Sequence, residues 1–401
     1  MKPLVLGGKA RAVEIANGAH NHQVLRLIDA SVERPSGPND AVLVKKGGLK
    51  LWTPPYAAVF VGERPEGTPA PLAITLGEEF SYLMPGDILG VHLDTGKVRT
   101  LYRRSSRHNG FLLTERCNHY CLMCSQPPKN VNDGWLLDEI ARVIPLIDSE
   151  TSYLGFTGGE PLLEWRRVIE LLRLTRDTLP NTAVHLLTNG RGFVNAEVAD
   201  AWANIQHPNL SVGIPIYSAV DAIHDYVVQA SGAFDETVLG VLRLKERGQR
   251  VEVRVVLHAV TASRIVETAQ WLARNLAFVD HVALMGLENT GFAIANDRLL
   301  WIDPLDFRDE LALAVDILDA ARVPVSVYNL PFCVLDRKVW PFARQSISDW
   351  KNAYLPQCAG CAAKAKCAGF FSTGRPKQSR AIEPLHTFEA IDQEGAVFAI
   401  A

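Results

Sequence analysis

The seven cysteines of this 401-residue chain fall into two groups: Cys117, Cys121 and Cys124 lie together, and Cys333, Cys358, Cys361 and Cys367 lie toward the C-terminus. Cysteines kept as small core residues would be scattered, and an odd number does not make a simple disulfide framework. Thiolates are soft ligands that suit zinc or iron–sulfur clusters. A cubane cluster has four irons, so three local thiolates leave one iron without a protein ligand. An open coordination position is what separates a reactive metal centre from a structural one. The four thiolates of the second group can close a zinc site or a four-iron cluster completely. Spacing alone leaves zinc open for both groups, with His119 or a distant residue completing the first.

The first group follows an apolar run at residues 111–114, read as a strand. Further strands are expected at 153–156, 184–187, 210–216, 251–257 and 281–285, with a possible seventh at 323–328. Between them, residues 136–147, 165–178, 234–247 and 265–275 carry apolar side chains three or four apart, and 306–321 continues the pattern. Strands alternating with helices imply βαβ units and a parallel sheet. Six units can curl into a partial (β/α)6 TIM-type barrel whose working loops lie at the C-terminal ends of the strands. Thr157-Gly158-Gly159-Glu160-Pro161 falls at the end of the second strand, on the same face as the cysteine loop. Paired glycines let backbone approach a ligand closely, and a carboxylate can accept from an ammonium.

Residues 1–105 read as a β-rich N-terminal domain of short strands broken by Pro- and Gly-containing turns. The barrel is expected over 106–328, a Cys-rich iron–sulfur extension over 329–374, and a tail over 375–401. With 41 basic and 44 acidic residues, the net charge of −3 gives no general reason to expect a nucleic acid or an anionic membrane as partner. No uncharged run is long enough to span a bilayer and the start does not read as a signal peptide, so a cytoplasmic protein is expected.

The three-cysteine spacing followed by Gly-Gly-Glu-Pro resembles the signature of the radical S-adenosylmethionine (radical SAM) superfamily, over roughly residues 109–300. That resemblance implies a [4Fe-4S] cluster on Cys117, Cys121 and Cys124, with S-adenosylmethionine chelating the unique iron. An external electron donor would reduce the cluster, and the sulfonium would split to methionine and a 5′-deoxyadenosyl radical that takes a hydrogen atom from substrate. By position, Gly158, Gly159 and Glu160 should meet the methionyl amino group, and Thr188 and Asn189 should line the cofactor site. Ser218 and Arg254 are candidates for the ribose and carboxylate, and Glu288 for the adenine. Met123 stands where the family usually has an aromatic residue, and its side chain is expected to pack on adenine.

Cys333, Cys358, Cys361 and Cys367 resemble the auxiliary-cluster extensions of radical SAM enzymes that modify peptides, which implies a second [4Fe-4S] cluster. Strings such as Leu112-Leu-Thr-Glu-Arg-Cys117, Ile214-Pro-Ile-Tyr-Ser218, His224-Asp-Tyr-Val-Val-Gln229 and residues 346–352 resemble the His-Xaa-Ser system radical SAM maturases of the HxsC type. This implies a peptide or small-protein substrate carrying His-Xaa-Ser repeats and a second radical SAM protein as partner. His224 and Asp225 read as a structural pair at a helix start rather than as catalytic groups. Rival readings are a radical SAM enzyme acting on a small molecule such as a nucleoside or sugar, and a non-catalytic iron–sulfur or zinc scaffold.

Overall fold

The computed structural model describes residues 6–15, 21–29, 35, 37–45, 56–64, 70–345, 352–371 and 377–388. Residues 346–351 of the string at 346–352, and the turn at 65–67, lie outside them.

Eight strands build the N-terminal module: β1 (Gly7–Lys9), β2 (Ala12–Ile15), β3 (His22–Ile28), β4 (Asp40–Val44), β5 (Ala57–Val61), β6 (Leu72–Leu76), β7 (Ile88–His92) and β8 (Lys97–Tyr102). They form one mixed sheet in the order β1-β8-β7-β3-β4-β5-β6-β2, with β3 to β6 parallel and the other pairs antiparallel. Alternating residues such as Leu25, Leu27, Val59, Ile74 and Leu89 supply its core.

Seven parallel strands follow: β9 (Asn109–Leu112), β10 (Tyr153–Thr157), β11 (Ala183–Leu187), β12 (Leu210–Pro215), β13 (Arg250–Leu257), β14 (His281–Gly286) and β15 (Val325–Tyr328). The expected seventh strand is therefore a full member of the sheet, and the first ends at Leu112 instead of running to residue 114. Strand order is sequential from β9 to β15, which do not pair with each other, and β15 carries one parallel bridge, Val327 to Ala343, on its outer side. Helices α1 (Trp135–Val143), α2 (Trp165–Thr178), α3 (Ala196–Ala203), α4 (Asp221–Val228), α5 (Ala233–Glu246), α6 (Ile265–Asn275) and α7 (Arg308–Ala320) are its longer helical segments. Helix α2 shows the logic: Val168, Ile169, Leu171, Leu172 and Thr175 are its buried stripe, three or four residues apart.

Strand β13 sorts its side chains by alternation. Val251, Val253 and Val255 join the apolar core with the helices, while Glu252 and Arg254 point to the opposite, lumen side. On neighbouring β12, Gly213 leaves room for them: a Cβ there would lie 2.6 Å from His185 Nε2 and 3.2 Å from Arg254 Cδ.

The N-terminal sheet docks on α1 through charge. Buried Glu139 hydrogen-bonds His22 Nε2 at 2.6 Å and pairs with Arg99, whose guanidinium lies 4.8 Å from the Trp135 ring centre. Strands β16 (Asn352–Ala353) and β17 (Phe370–Phe371) form a small hairpin-like pair in the C-terminal region. Among the described residues, no helix is long and apolar enough to cross a membrane.

Candidate metal centre and barrel chamber

The cysteine loop leaves the C-terminal end of β9 and is tied down before the first thiol. Asp133 accepts from Thr114 Oγ1 at 2.8 Å and from the Glu115 amide at 2.5 Å, and Arg116 Nε donates to it at 3.1 Å. Arg116 also reaches Glu164 at 2.7 Å. Further along, the Tyr120 and Leu122 amides donate to Val228 and Val227 at the end of α4, and Phe292 N donates to the Cys124 carbonyl at 2.8 Å. The loop is thus fixed at both ends by the barrel before any cofactor is considered.

Gly158 and Gly159 act on this loop directly. A Cβ on Gly159 would lie 2.1 Å from Arg116 O and 3.0 Å from Cys117 Cβ, and one on Gly158 would lie 2.9 Å from Thr114 O. Two amide bonds cross the contact, Gly159 N to Thr114 O and Glu160 N to Arg116 O, both 2.8 Å. The glycines therefore let two loops of the active face touch, in addition to any approach to a ligand.

Glu160 is buried, and its carboxylate accepts from Leu162 N at 2.9 Å, Thr188 Oγ1 at 2.6 Å and Asn189 N at 2.7 Å. Burial pushes its carboxyl up, against the lowering effect of these donors. A carboxylate offers about four acceptor positions, so most of its capacity is used in binding the loops after β10 and β11 together. Asn189 Nδ2 donates to Asn118 Oδ1 in the cysteine loop at 2.6 Å. Gly158, Gly159, Glu160, Thr188 and Asn189 are thereby brought into one assembly with the thiols.

Ser218 and Met123 are placed differently. Ser218 is fully buried and accepts from Val220 N at 3.1 Å, closing its own turn. Met123 is buried in an apolar cluster with Tyr217, Val227, Val228 and Leu300 that anchors the loop from below. His224 accepts from the Tyr217 amide at 3.2 Å, and Asp225 accepts from Gly232 N and Phe234 N at the start of α5. The pair is structural, but it sits inside α4 and caps the following helix instead of its own.

The three thiols are free and half-buried. Burial pushes Cys117 up to about 11 and moves Cys121 and Cys124 upward as well. Such thiols become thiolates only beside a strong local positive charge, which a metal centre provides. The His119 amide points at Cys117 Sγ, 3.4 Å away. The His119 ring is itself buried, and its electrostatic neighbours are Arg191, His224 and Asp225. Burial lowers its pKa to about 3, and it does not complete a ligand set with the cysteines. The donor set fits an iron–sulfur cluster with three protein ligands.

Beside this face lies a chamber of about 590 Å³. Its walls include Tyr102 of β8, Gly110 and Gly155 of β9 and β10, Arg254, Glu288 and Phe371. The N-terminal module, the barrel and the C-terminal pair all contribute. Arg254 donates to Met285 Sδ at 3.1 Å and has Glu252 Oε1 3.4 Å away. Glu252 is buried and bonds His281 Nδ1 at 2.8 Å. Burial alone would raise its carboxyl, but the His281 bond and neighbouring His185 and Arg254 hold it at about 2. Apart from Arg254, this buried network, together with Asp133 and Asn118, carries no short-range sequence signal, because the groups that Glu252, Asp133 and Asn118 meet come from other strands and loops.

The four C-terminal cysteines line one small cavity. Leu385 N donates to Cys361 Sγ at 3.4 Å and Gly369 N to Cys367 Sγ at 3.5 Å. Amide donors aimed at sulfur are what a thiolate-held cluster uses to balance its charge. Among the described residues, no three His, Cys, Asp or Glu side chains stand close enough to hold a single metal ion.

The buried histidines make stability depend on pH. Burial lowers His185, His224 and His258 to about 4 each, against about 6.5 when unfolded. The unfolded chain binds more protons between those values, so stability is intact above about pH 6.5 and is lost as pH falls toward 4. At pH 5.5 the three together should cost roughly 4 kcal/mol. Urea midpoints of the metal-free protein at pH 7.5 and 5.5 check this, and equal midpoints would contradict it.

Fold and site together define a partial parallel α/β barrel that presents three thiols on its C-terminal face. The family model described as the Radical SAM superfamily matches residues 111–272. No curated protein matches the sequence. Among solved structures, Streptococcus suis SuiB bound to S-adenosylmethionine is 13% identical with a TM-score of 0.44, covering 54% of this chain and 50% of that one. The protein anSMEcpe, with bound AdoMet and Cp18Cys peptide, is 17% identical with a TM-score of 0.42, covering 54% and 62%. A radical SAM methyltransferase from Sphaerobacter thermophilus is 17% identical with a TM-score of 0.41, covering 60% and 72%. The chain thus spans about half the length of SuiB.

Proposed function

We propose that the chain is a radical SAM enzyme that reductively cleaves S-adenosylmethionine and modifies a peptide or small protein, with a His-Xaa-Ser repeat protein as the substrate. The observation that carries the radical SAM reading is the contact between the cysteine loop and the Gly158–Gly159–Glu160 turn, beyond the C-terminal ends of β9 and β10. When bound, the cluster and S-adenosylmethionine supply a 5′-deoxyadenosyl radical able to take a hydrogen atom from substrate.

The chain's own residues do the rest. Cys117, Cys121 and Cys124 hold the cluster, and the backbone of Gly158 to Glu160 faces the methionyl amino group. Glu160 orients Thr188 and Asn189, which line the cofactor site. Arg254 offers a guanidinium on the chamber wall to a carboxylate, and Glu288 lines the same chamber. Ser218 and Met123, buried as they are, act by shaping the loop beneath the cofactor.

The C-terminal cysteines hold a second [4Fe-4S] cluster close to substrate: Asn329 and Phe371 line the chamber, and Cys333 and Cys367 follow and precede them closely in sequence. A chamber of this size, walled by three modules, suits part of a peptide better than a small molecule alone. An external electron donor and a second radical SAM protein are the expected partners, in the cytoplasm, where thiols stay reduced. Incubation of the reconstituted, reduced enzyme with S-adenosylmethionine and a His-Xaa-Ser peptide should give a mass change in the peptide. An unchanged peptide, with turnover of a nucleoside or sugar instead, would overturn the substrate assignment.

A further inference from the structure

Residues 377–388, expected from sequence as a tail, form an irregular strap that runs from the barrel to the C-terminal cysteines. Its first end is clasped by acids around the start of α7. Lys377 pairs with Asp297, and Arg380 pairs with Asp306. Asp303 accepts from Ser379, from Arg380 N at 3.0 Å and from Arg380 Nη1 at 3.1 Å. Asp303 is itself fixed, accepting from Leu305 N at 3.0 Å.

The other end is held by ring packing. Phe388 lies 5.0 Å from the Phe332 ring and 5.5 Å from the Trp340 ring, centre to centre, and Trp340 Nε1 donates to the Phe332 carbonyl, next to Cys333. Between these anchors, Ala362 N donates to Leu385 O at 2.8 Å and Leu385 N donates to Cys361 Sγ at 3.4 Å. Ile382, Glu383 and Leu385 line the cavity that the four cysteines share.

We propose that this strap is an integral wall of the auxiliary site, and that its backbone amide on Cys361 helps to set the reduction potential and the retention of the cluster held there. The inference rests on the reading that the four cysteines bind an iron–sulfur cluster. An amide proton on a ligating sulfur stabilises the more negative, reduced state and so raises the potential. The apolar side chains of Ile382 and Leu385 keep water from the same sulfurs, which slows ligand loss. Leu385 is a positioning residue through its main chain, which explains why no side-chain motif marks it.

Leu385→Pro removes the donated N–H while keeping an apolar side chain, and Phe388→Ala releases the end of the strap without touching a ligand. Both are to be compared with the wild-type chain by iron content and by a redox titration followed by electron paramagnetic resonance, with the first cluster as internal reference. The expected result is an unchanged midpoint for the first cluster, a lower midpoint for the auxiliary one, and several-fold faster loss of auxiliary iron to a chelator. An auxiliary midpoint and iron-loss rate equal to wild type in both variants would overturn the proposal. A wild-type chain with about four irons and one zinc, instead of about eight irons, would overturn the cluster reading itself and the potential with it. The iron count tells the two failures apart.

Discussion

Cys124→Ala should abolish 5′-deoxyadenosine formation from S-adenosylmethionine and lower iron content by about half. The loop around Cys124 is held by backbone bonds, Cys124 N to Cys121 O at 3.0 Å and Phe292 N to Cys124 O at 2.8 Å. The side chain itself adds one contact to the fold, the Cys124 thiol donating to Gln126 O at 3.0 Å. What is lost is one of three thiolates, and losing even an outer partner of a metal ligand costs about 10- to 100-fold in affinity or activity, so a ligand itself should cost more. Cys361→Ala provides the contrast, since it should lose the auxiliary iron and spare the first cluster. Product still formed by Cys124→Ala, with its iron content unchanged, would contradict the assignment of the first group.

Gly159→Ala should be nearly as damaging, by a different route. The added methyl would sit 2.1 Å from the Arg116 carbonyl oxygen, 2.6 Å from its carbon and 3.0 Å from Cys117 Cβ. A side chain could rotate away from such an intrusion, but here most of the obstacle is backbone. The two loops must part, and the crossing amide bonds to Thr114 O and Arg116 O weaken. Overpacking of this kind costs about 1–3 kcal/mol, and the backbone clash puts this case at the upper end. Urea denaturation should show that loss, and iron at the first site should fall with it. Gly37→Ala, where an added Cβ meets nothing within 4 Å, should leave both unchanged.

The barrel was legible in the sequence because its elements obey a local period. Helices Trp165–Thr178 and Ile265–Asn275 match their expected bounds, since each needs only its own spaced apolar residues to announce its buried face. Cys117, Cys121 and Cys124 were legible for the same reason, as spacing within one loop. What stayed hidden depends on distant partners. Glu160 reads as a ligand-facing carboxylate, yet Thr188 and Asn189 come from the next strand to occupy it. Met123 and Ser218 read by position as cofactor contacts, and the packing of α4 and the turn after β12 that buries both leaves no local signal. The strap at 377–388 has no periodicity at all, because its anchors are acids near α7 and rings near Cys333. The strand order of the N-terminal sheet, with β1 beside β8, likewise follows from pairings that no local pattern encodes.

The central claim is that the first cysteine loop presents an open iron to S-adenosylmethionine at the barrel mouth. Quantifying 5′-deoxyadenosine after anaerobic reconstitution and reduction of the wild-type protein tests it most directly. Product that appears only with reductant and S-adenosylmethionine together is the predicted result. A fully iron-loaded, reduced protein that leaves S-adenosylmethionine intact would contradict it.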